Sequence, residues 1–238
     1  MAPVRILRES GTARFVLLCD HASNFIPAEL RALGLPVPEL TRHIAWDIGA
    51  AGVTEVMSEI LDAPAILCNT SRLVIDCNRQ LRAVDLIPEV CDGTVIPGNA
   101  GIRESSRADR VDRWFRPYHE AVEAVLDEHG DVVVVSIHSM TPALRGQALR
   151  PWQIALSSHP SGRSLTDQVL QKLRLPGDVT VGDNQPYDMD PEVDYSVPFH
   201  ALRRGLRYIQ VEFRQDEVAD LASQQRWARR FADVLGLS

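Results

Sequence analysis

Apolar runs alternate along this chain with more polar stretches. The runs predict strands at about 14–19, 64–68, 73–75, 132–137, 153–156, 178–182 and 208–213. The stretches between them predict helices at about 28–33, 48–61, 107–128, 161–173 and 216–235, and loops at 84–106 and 184–198. Strands that alternate with helices are typical of a sheet covered by helices on its faces. The pattern therefore predicts an α/β fold, with residues 1–238 forming one domain around a twisted, mixed and mostly parallel sheet.

Two histidines each follow a predicted buried strand. His21 comes directly after the run 15–20, and His138 directly after the run 132–137. The carboxyl ends of parallel strands line the crevice where ligands bind, so imidazoles far apart in sequence can converge there. Such a pair suits a catalytic metal, although histidines that are only hydrogen-bonded in loops would give the same pattern.

A catalytic zinc ion usually takes three protein ligands, with Asp or Glu beside His. Asp47, just before the helix predicted at 48–61, is the best candidate for the third ligand. Asn24 is a poorer one because an amide binds zinc less well than a carboxylate does. His43 is a rival ligand or a partner of one, since it lies four residues before Asp47.

The segment 71–79 places polar residues around an apolar middle. Its Asn78 and Arg79 have the chemistry to clamp a substrate carboxylate, because a guanidinium can bind both carboxylate oxygens. A structural pair between an arginine and a nearby acid is the alternative.

Glu212 lies in the predicted strand 208–213, between apolar neighbours. Burial raises the pKa of a carboxyl group and makes it a candidate general base. Arg214, two residues further on, could instead neutralise Glu212.

Composition narrows the function classes. The formal net charge is -7, which argues against binding to nucleic acid or to an anionic membrane. No apolar stretch has the length of a membrane span, and no secretory signal is recognisable, so the chain is expected to be cytoplasmic. Because Lys172 is the only lysine, cationic contacts to a substrate must come from arginine.

Taken together, the motifs resemble those of the N-formylglutamate amidohydrolases, a family distantly similar to the zinc carboxypeptidases and aspartoacylases. They occur in the family's order at residues 19–27, 46–49, 71–79, 137–142, 184–187 and 211–216. The resemblance implies a zinc-carboxypeptidase/phosphorylase-like fold and one divalent metal ion, expected to be zinc. It also implies hydrolysis of N-formyl-L-glutamate to formate and L-glutamate.

The resemblance also implies roles for individual residues. His21 and His138 would bind the metal, and Glu212 would be the general base. The wider group has a glutamate where this chain has Asn24, which leaves Asp47 as the replacement ligand. The residues expected to hold the substrate carboxylate are Asp76, Asn78 and Arg79, and Arg72 or Arg79 would stabilise the oxyanion.

The substrate's second carboxylate needs another cation, for which Arg150, Arg145 and Arg103 are candidates. Asn184 and Tyr187 begin a loop that could cover the cleft and touch the substrate. The expected partner is thus a small acidic N-acyl amino acid. Three alternatives remain: deacylation of another N-acyl amino acid, removal of a C-terminal residue from a short peptide, and binding of a small acid without catalysis.

Overall fold

The structure is a computed structural model that describes residues 2–236. Within these residues, strands form one seven-stranded sheet and one two-stranded hairpin. In chain order the strands are β1 (Val4–Leu7), β2 (Phe15–Cys19), β3 (Ala65–Cys68), β4 (Val90–Cys91), β5 (Thr94–Val95), β6 (Val133–Met140), β7 (Ile154–Ser157), β8 (Val181–Asp183) and β9 (Arg207–Arg214).

The order of strands in the large sheet is β1-β3-β2-β6-β9-β7-β8. The pairs β1 with β3 and β7 with β9 are antiparallel, and the other neighbours are parallel. The prediction of a mixed, mostly parallel sheet is therefore confirmed. Because β2, β6 and β9 are parallel neighbours, their carboxyl ends meet at one edge of the sheet.

Helices cover both faces of this sheet. They are α1 (Val37–Leu40), α2 (Ala50–Leu61), α3 (Glu104–Arg110), α4 (Arg116–His129), α5 (Arg163–Arg174) and α6 (Leu221–Val234). A π-helical turn at Val111–Phe115 joins α3 to α4, so the helix predicted at 107–128 is confirmed as a nearly continuous one. No helix within residues 2–236 is both long and apolar enough to cross a membrane.

The two faces of the sheet bury separate hydrophobic clusters. In β2, Phe15 and Leu17 pack in the cluster that contains α2, α5 and α6. Val16 and Leu18 point to the other face and pack in the cluster that contains α4. Burial on both faces explains why this strand is apolar throughout instead of alternating with polar residues.

One predicted strand, 73–75, is wrong. Leu73–Ile75 is buried but forms a turn, in which the Val74 N–H donates to the Ser71 carbonyl. Side chains take the place of a neighbouring strand: Asn99 donates to the Leu73 carbonyl at 2.8 Å, and Arg110 donates to the Val74 carbonyl at 2.9 Å. A short apolar run identifies burial and leaves the backbone conformation open.

Three further differences concern short or terminal elements. The sequence analysis missed β1, and it assigned the hairpin β4–β5 to a loop. The last helix begins at Leu221 and not near 216, because Asp220 and Ser223 form a capping box at its start.

Candidate active site and metal centre

His21, Asp47 and His138 converge at the carboxyl edge of the sheet. The Nδ1 atoms of His21 and His138 lie 3.3 Å and 3.0 Å from the same oxygen, Asp47 Oδ2. One ligand atom from each residue lies within 4.8 Å of the others, and all three residues are buried. Asp47 is held in place because its backbone N–H donates to the His21 carbonyl at 3.0 Å.

Each of the three side chains stabilises the charged form of its neighbours: the histidines stabilise the Asp47 carboxylate, and Asp47 stabilises the protonated histidines. Burial alone would raise the pKa of Asp47, but His21 and His138 outweigh burial and hold that pKa below its ordinary value. Burial alone would lower the pKa of His138, whereas its bonds to Asp20 and Asp47 raise it well above the usual value. The site therefore attracts positive charge.

The outer nitrogen of each imidazole faces another carboxylate. His21 Nε2 lies 2.8 Å from Asp76 Oδ1. His138 Nε2 lies 3.2 Å from Asp20 Oδ2 and 3.0 Å from Ser136 Oγ. A carboxylate behind the imidazole is the usual support of a metal-binding histidine.

Two imidazole nitrogens and one carboxylate oxygen are a donor set that suits zinc and leaves room for water. These three residues could therefore hold one divalent metal ion. Asn24 and His43, which the sequence left open as ligands, lie outside this group of three. Asn24 donates to the Leu40 carbonyl at 2.9 Å, and His43 Nε2 lies 3.4 Å from Asp92 Oδ2.

A cavity of about 340 Å³ opens beside this group. Its volume falls within the range of roughly 300–1,000 Å³ that is common for small-molecule sites. Nine of the candidate residues from the sequence line it: His21, His43, Asp47, Arg72, Asn78, Arg79, His138, Tyr187 and Glu212.

Glu212 faces the cavity next to the histidines, because β9 pairs with β6 in a register that sets it opposite His138. Burial is the main reason that its pKa is raised to about 7, and Asp47 adds to the shift while the histidines and Arg72 oppose it. Arg214 does not neutralise Glu212. It binds Asp216, Glu217 and the Arg150 carbonyl instead.

Arg72 also lines the cavity and connects two carboxylates of the site. It donates to Asp76 Oδ2 at 2.6 Å, and its Nη1 lies 3.4 Å from Asp47 Oδ1. Asp76 was expected to hold substrate, but both of its oxygens are used by His21, Arg72 and the Asn78 N–H. The structure places Asp76 behind His21, where it positions the imidazole.

Asn78 and Arg79 both reach the cavity wall. Asn78 Oδ1 accepts hydrogen bonds from the backbone of Tyr195 and Ser196, which leaves its Nδ2 as the group that a substrate could use. Arg79 also forms ion pairs within the protein, with Asp85 at 2.9 Å and Asp194 at 3.3 Å. These are the structural pairs that the sequence left open as the alternative to a substrate clamp.

Arg150 lies behind Tyr187, which lines the cavity. Its Nη2 donates to Tyr187 Oη at 2.9 Å, and its guanidinium lies 5.0 Å from the ring centre. Its Nη1 is buried and has no hydrogen-bond partner among residues 2–236. Arg145, by contrast, is half exposed and 3.9 Å from Glu39.

Asn184, which was expected to touch the substrate, does not line the cavity. Its Oδ1 accepts from the Ser158 N–H at 2.8 Å, and its Nδ2 donates to the Ser158 carbonyl at 3.1 Å. Both ends of the amide thus join the loop to β7, because Asn184 adopts a left-handed backbone conformation that turns the chain there.

Sequence analysis missed Asp20 and Ser136 behind His138, and Gln210 on the cavity wall. Two of these residues could have been found from the sequence. Side chains two residues apart in a strand share a face, so Ser136 lies beside His138, and Gln210 lies beside Glu212.

Comparison with known proteins identifies the relatives of this chain. The sequence model of the N-formylglutamate amidohydrolase family matches residues 13–219. A search of curated proteins finds no match. A crystal structure of a gene product from Agrobacterium tumefaciens is 32% identical, with a TM-score of 0.94, over 99% of this chain and 94% of that one. The N-formylglutamate amidohydrolase from Ralstonia eutropha is 21% identical, with a TM-score of 0.70, over 99% of this chain and 96% of that one, and this likeness shows a shared fold.

The fold, the buried site and the matched family together define a hydrolase that acts on amide bonds. The chain belongs to the N-formylglutamate amidohydrolase family, because the match spans most of its length.

Proposed function

We propose that this enzyme hydrolyses the formyl amide of N-formyl-L-glutamate to formate and L-glutamate, with one zinc ion held by His21, Asp47 and His138. One observation carries the proposal: these three side chains and Glu212 meet on the wall of one cavity that arginines also line. Membership of the family supports the substrate.

A zinc ion in this site would polarise the formyl carbonyl and lower the pKa of water beside it. The donor set supports zinc because both Nδ1 atoms and Asp47 Oδ2 face one point, while Asp76 and Asp20 occupy the outer nitrogens.

Glu212 would act as the general base. Its carboxylate takes a proton from the attacking water, whose oxygen bonds to the formyl carbon. When the carbon–nitrogen bond breaks, Glu212 returns the proton to the leaving amine nitrogen. A pKa raised to about 7 suits both tasks, since the group can accept and release a proton near neutral pH.

Arg72 would stabilise the oxyanion that develops on the formyl oxygen. Its guanidinium lies on the cavity wall, beside Asp47, where little water can screen its charge. Its bonds to Asp76 fix its orientation before substrate arrives.

The substrate's carboxylates would meet separate groups. Asn78 Nδ2 and Arg79 would bind the α-carboxylate, with the substrate competing against Asp194 for Arg79. Tyr187, which lines the cavity and whose Oη accepts from Arg150 Nη2, would donate its hydroxyl proton to the side-chain carboxylate, with the positive charge of Arg150 behind it.

The test is formate release from N-formyl-L-glutamate by the enzyme as isolated, after chelation, and after zinc is restored. We expect release that chelation abolishes and zinc restores. Release that persists after all metal is removed would contradict the metal centre. Release only from another N-acyl amino acid would contradict the substrate.

A further inference from the structure

Asp20 is buried behind the metal-binding edge, and its two oxygens have different partners. Oδ1 accepts hydrogen bonds from Tyr118 Oη at 2.7 Å and Ser196 Oγ at 2.6 Å. Oδ2 lies 3.2 Å from His138 Nε2 and accepts from Ser136 Oγ at 3.5 Å. The side chain is thus fully used inside the protein and cannot reach substrate.

The hydrogen bonds on the Oδ2 side run in one direction, from His138 through Ser136 to Asp20. A carboxylate oxygen can only accept hydrogen bonds, whereas a serine hydroxyl can donate one and accept another. Since Ser136 Oγ donates to Asp20, it is left to accept from His138 Nε2, which lies 3.0 Å away. Without a metal, Nδ1 donates its own proton to Asp47 Oδ2 at 3.0 Å. A metal ion bound at Nδ1 would take the place of that proton, and the one proton left on the imidazole would be on Nε2, where Ser136 and Asp20 accept it.

We propose that Asp20 is the positioning residue that commits His138 to bind the metal through Nδ1. This inference rests on the proposed zinc site and extends it to a residue outside the cavity. Tyr118, from α4, and Ser196 donate to the other oxygen of the carboxylate and do not touch the histidine themselves.

Asp20→Asn is the sharpest variant because it keeps the shape of the side chain. In this variant the amide oxygen accepts the hydrogen bonds from the hydroxyls of Tyr118 and Ser196. This orientation turns the NH₂ group towards Ser136 and His138. Ser136 then accepts from the amide and donates to Nε2, so the proton of the imidazole moves to Nδ1, where it blocks the metal. Partners behind a metal ligand typically change metal affinity by about 10–100-fold, and we expect a loss of that size in the zinc affinity of D20N.

The matched control is the double variant Tyr118→Phe with Ser196→Ala. It removes two buried hydrogen bonds from Asp20 but leaves the carboxylate on the histidine side. We expect it to lower the melting temperature while zinc affinity stays close to that of the wild type. Zinc affinity is measured by competition with a chromogenic chelator, and folding by circular dichroism.

Two results would overturn the inference: D20N that folds and binds zinc as the wild type does, or a double variant that loses as much affinity as D20N. NMR of wild-type protein labelled with ¹⁵N-histidine gives a second test, which does not depend on the folding of a variant. In its zinc-loaded form, an N–H of His138 on Nε2 supports the inference, and one on Nδ1 defeats it. Failure of the wild type to bind zinc would instead defeat the proposed function.

Discussion

Glu212 combines two properties that a general base needs, namely a position opposite His138 and a pKa raised by burial to about 7. Both follow from one residue's place in β9, where the strand passes behind the cavity. The same carboxylate on an open surface would stay ionised and hold a proton too weakly to return it to the leaving amine.

Replacing Glu212 with Gln removes the base and keeps the size of the side chain. We expect kcat to fall by about 10²–10⁴-fold, the usual contribution of general acid–base catalysis. Zinc content should stay at the wild-type level because Glu212 is not among the metal ligands. Formate release and metal analysis of the same preparation check both statements, and turnover near the wild-type rate would assign the base to another group.

Arg150 should decide the preference for an acidic side chain. In Arg150→Met, kcat/KM for N-formyl-L-glutamate should fall by about 10–100-fold, because Tyr187 loses the charged donor that orients its hydroxyl and a hydrogen bond to a charged group contributes about 1.5–3 kcal/mol. N-formyl-L-norvaline lacks the side-chain carboxylate and should be affected little.

Arg145→Met is the matched control, since the Arg145 side chain is half exposed and its guanidinium lies 3.9 Å from Glu39. It should leave kcat/KM for both substrates unchanged. Equal losses on both substrates in the Arg150 variant would show that Arg150 supports the fold and does not read the side chain.

At the scale of elements, the strands β2, β6 and β9 could be predicted from their apolar runs, and with them the edge where His21, His138 and Glu212 meet. The turn at Leu73–Ile75 could not, because its backbone is satisfied by side chains from distant parts of the chain. The residues of the run do not show whether their backbone carbonyls will accept from a neighbouring strand or from side chains such as those of Asn99 and Arg110.

Asn99 therefore matters to the element that carries Arg72 and Asp76. It is fully buried and donates to the carbonyls of Leu73 and Pro88. We expect Asn99→Ala to lower the free energy of unfolding by about 1–3 kcal/mol, because buried acceptors lose their donor. Urea denaturation measures the loss.

Asn69→Ala is the control for that substitution. Asn69 also donates to a backbone carbonyl, that of Ala2, but its bond is exposed to water. A change within about 0.5 kcal/mol is expected there. Equal losses in the two variants would mean that burial is not what makes the Asn99 bonds costly to remove.

At the scale of the whole molecule, two buried histidines outside the active site make stability depend on pH. His119 Nδ1 lies 2.8 Å from His200 Nε2, and burial lowers the pKa of His119 to about 4 and that of His200 to about 3. In the unfolded chain both return towards about 6.5, so the unfolded state binds more protons below that pH.

Acid should therefore destabilise the fold through this pair, with stability complete above about pH 6.5 and lost progressively as the pH falls towards the lowered values. We expect His200→Phe to remove roughly 1–2 kcal/mol of the loss in unfolding free energy between pH 7 and pH 5. Denaturant unfolding of both proteins in chelator at the two pH values gives the comparison. Parallel losses in the variant and the wild type would show that other groups cause the acid sensitivity.

Sequence alone determined the fold class, because strand runs and helices alternate in the order that a mixed, mostly parallel sheet requires. It also predicted that His21, His138 and Glu212 come together, since each occupies a strand or a strand end at the same edge of the sheet. The motifs were sufficient to indicate the family.

Only the tertiary structure decided how the remaining polar residues are used. Asp47 and Asp76 are both acids near the site in sequence, yet one faces the imidazole Nδ1 atoms and the other sits behind His21. Asn184 belongs to a motif but joins its loop to β7, while Asp20 supports His138 across the sheet. The direction in which a polar side chain points depends on the partners that packing brings to it, and those partners come from distant parts of the chain.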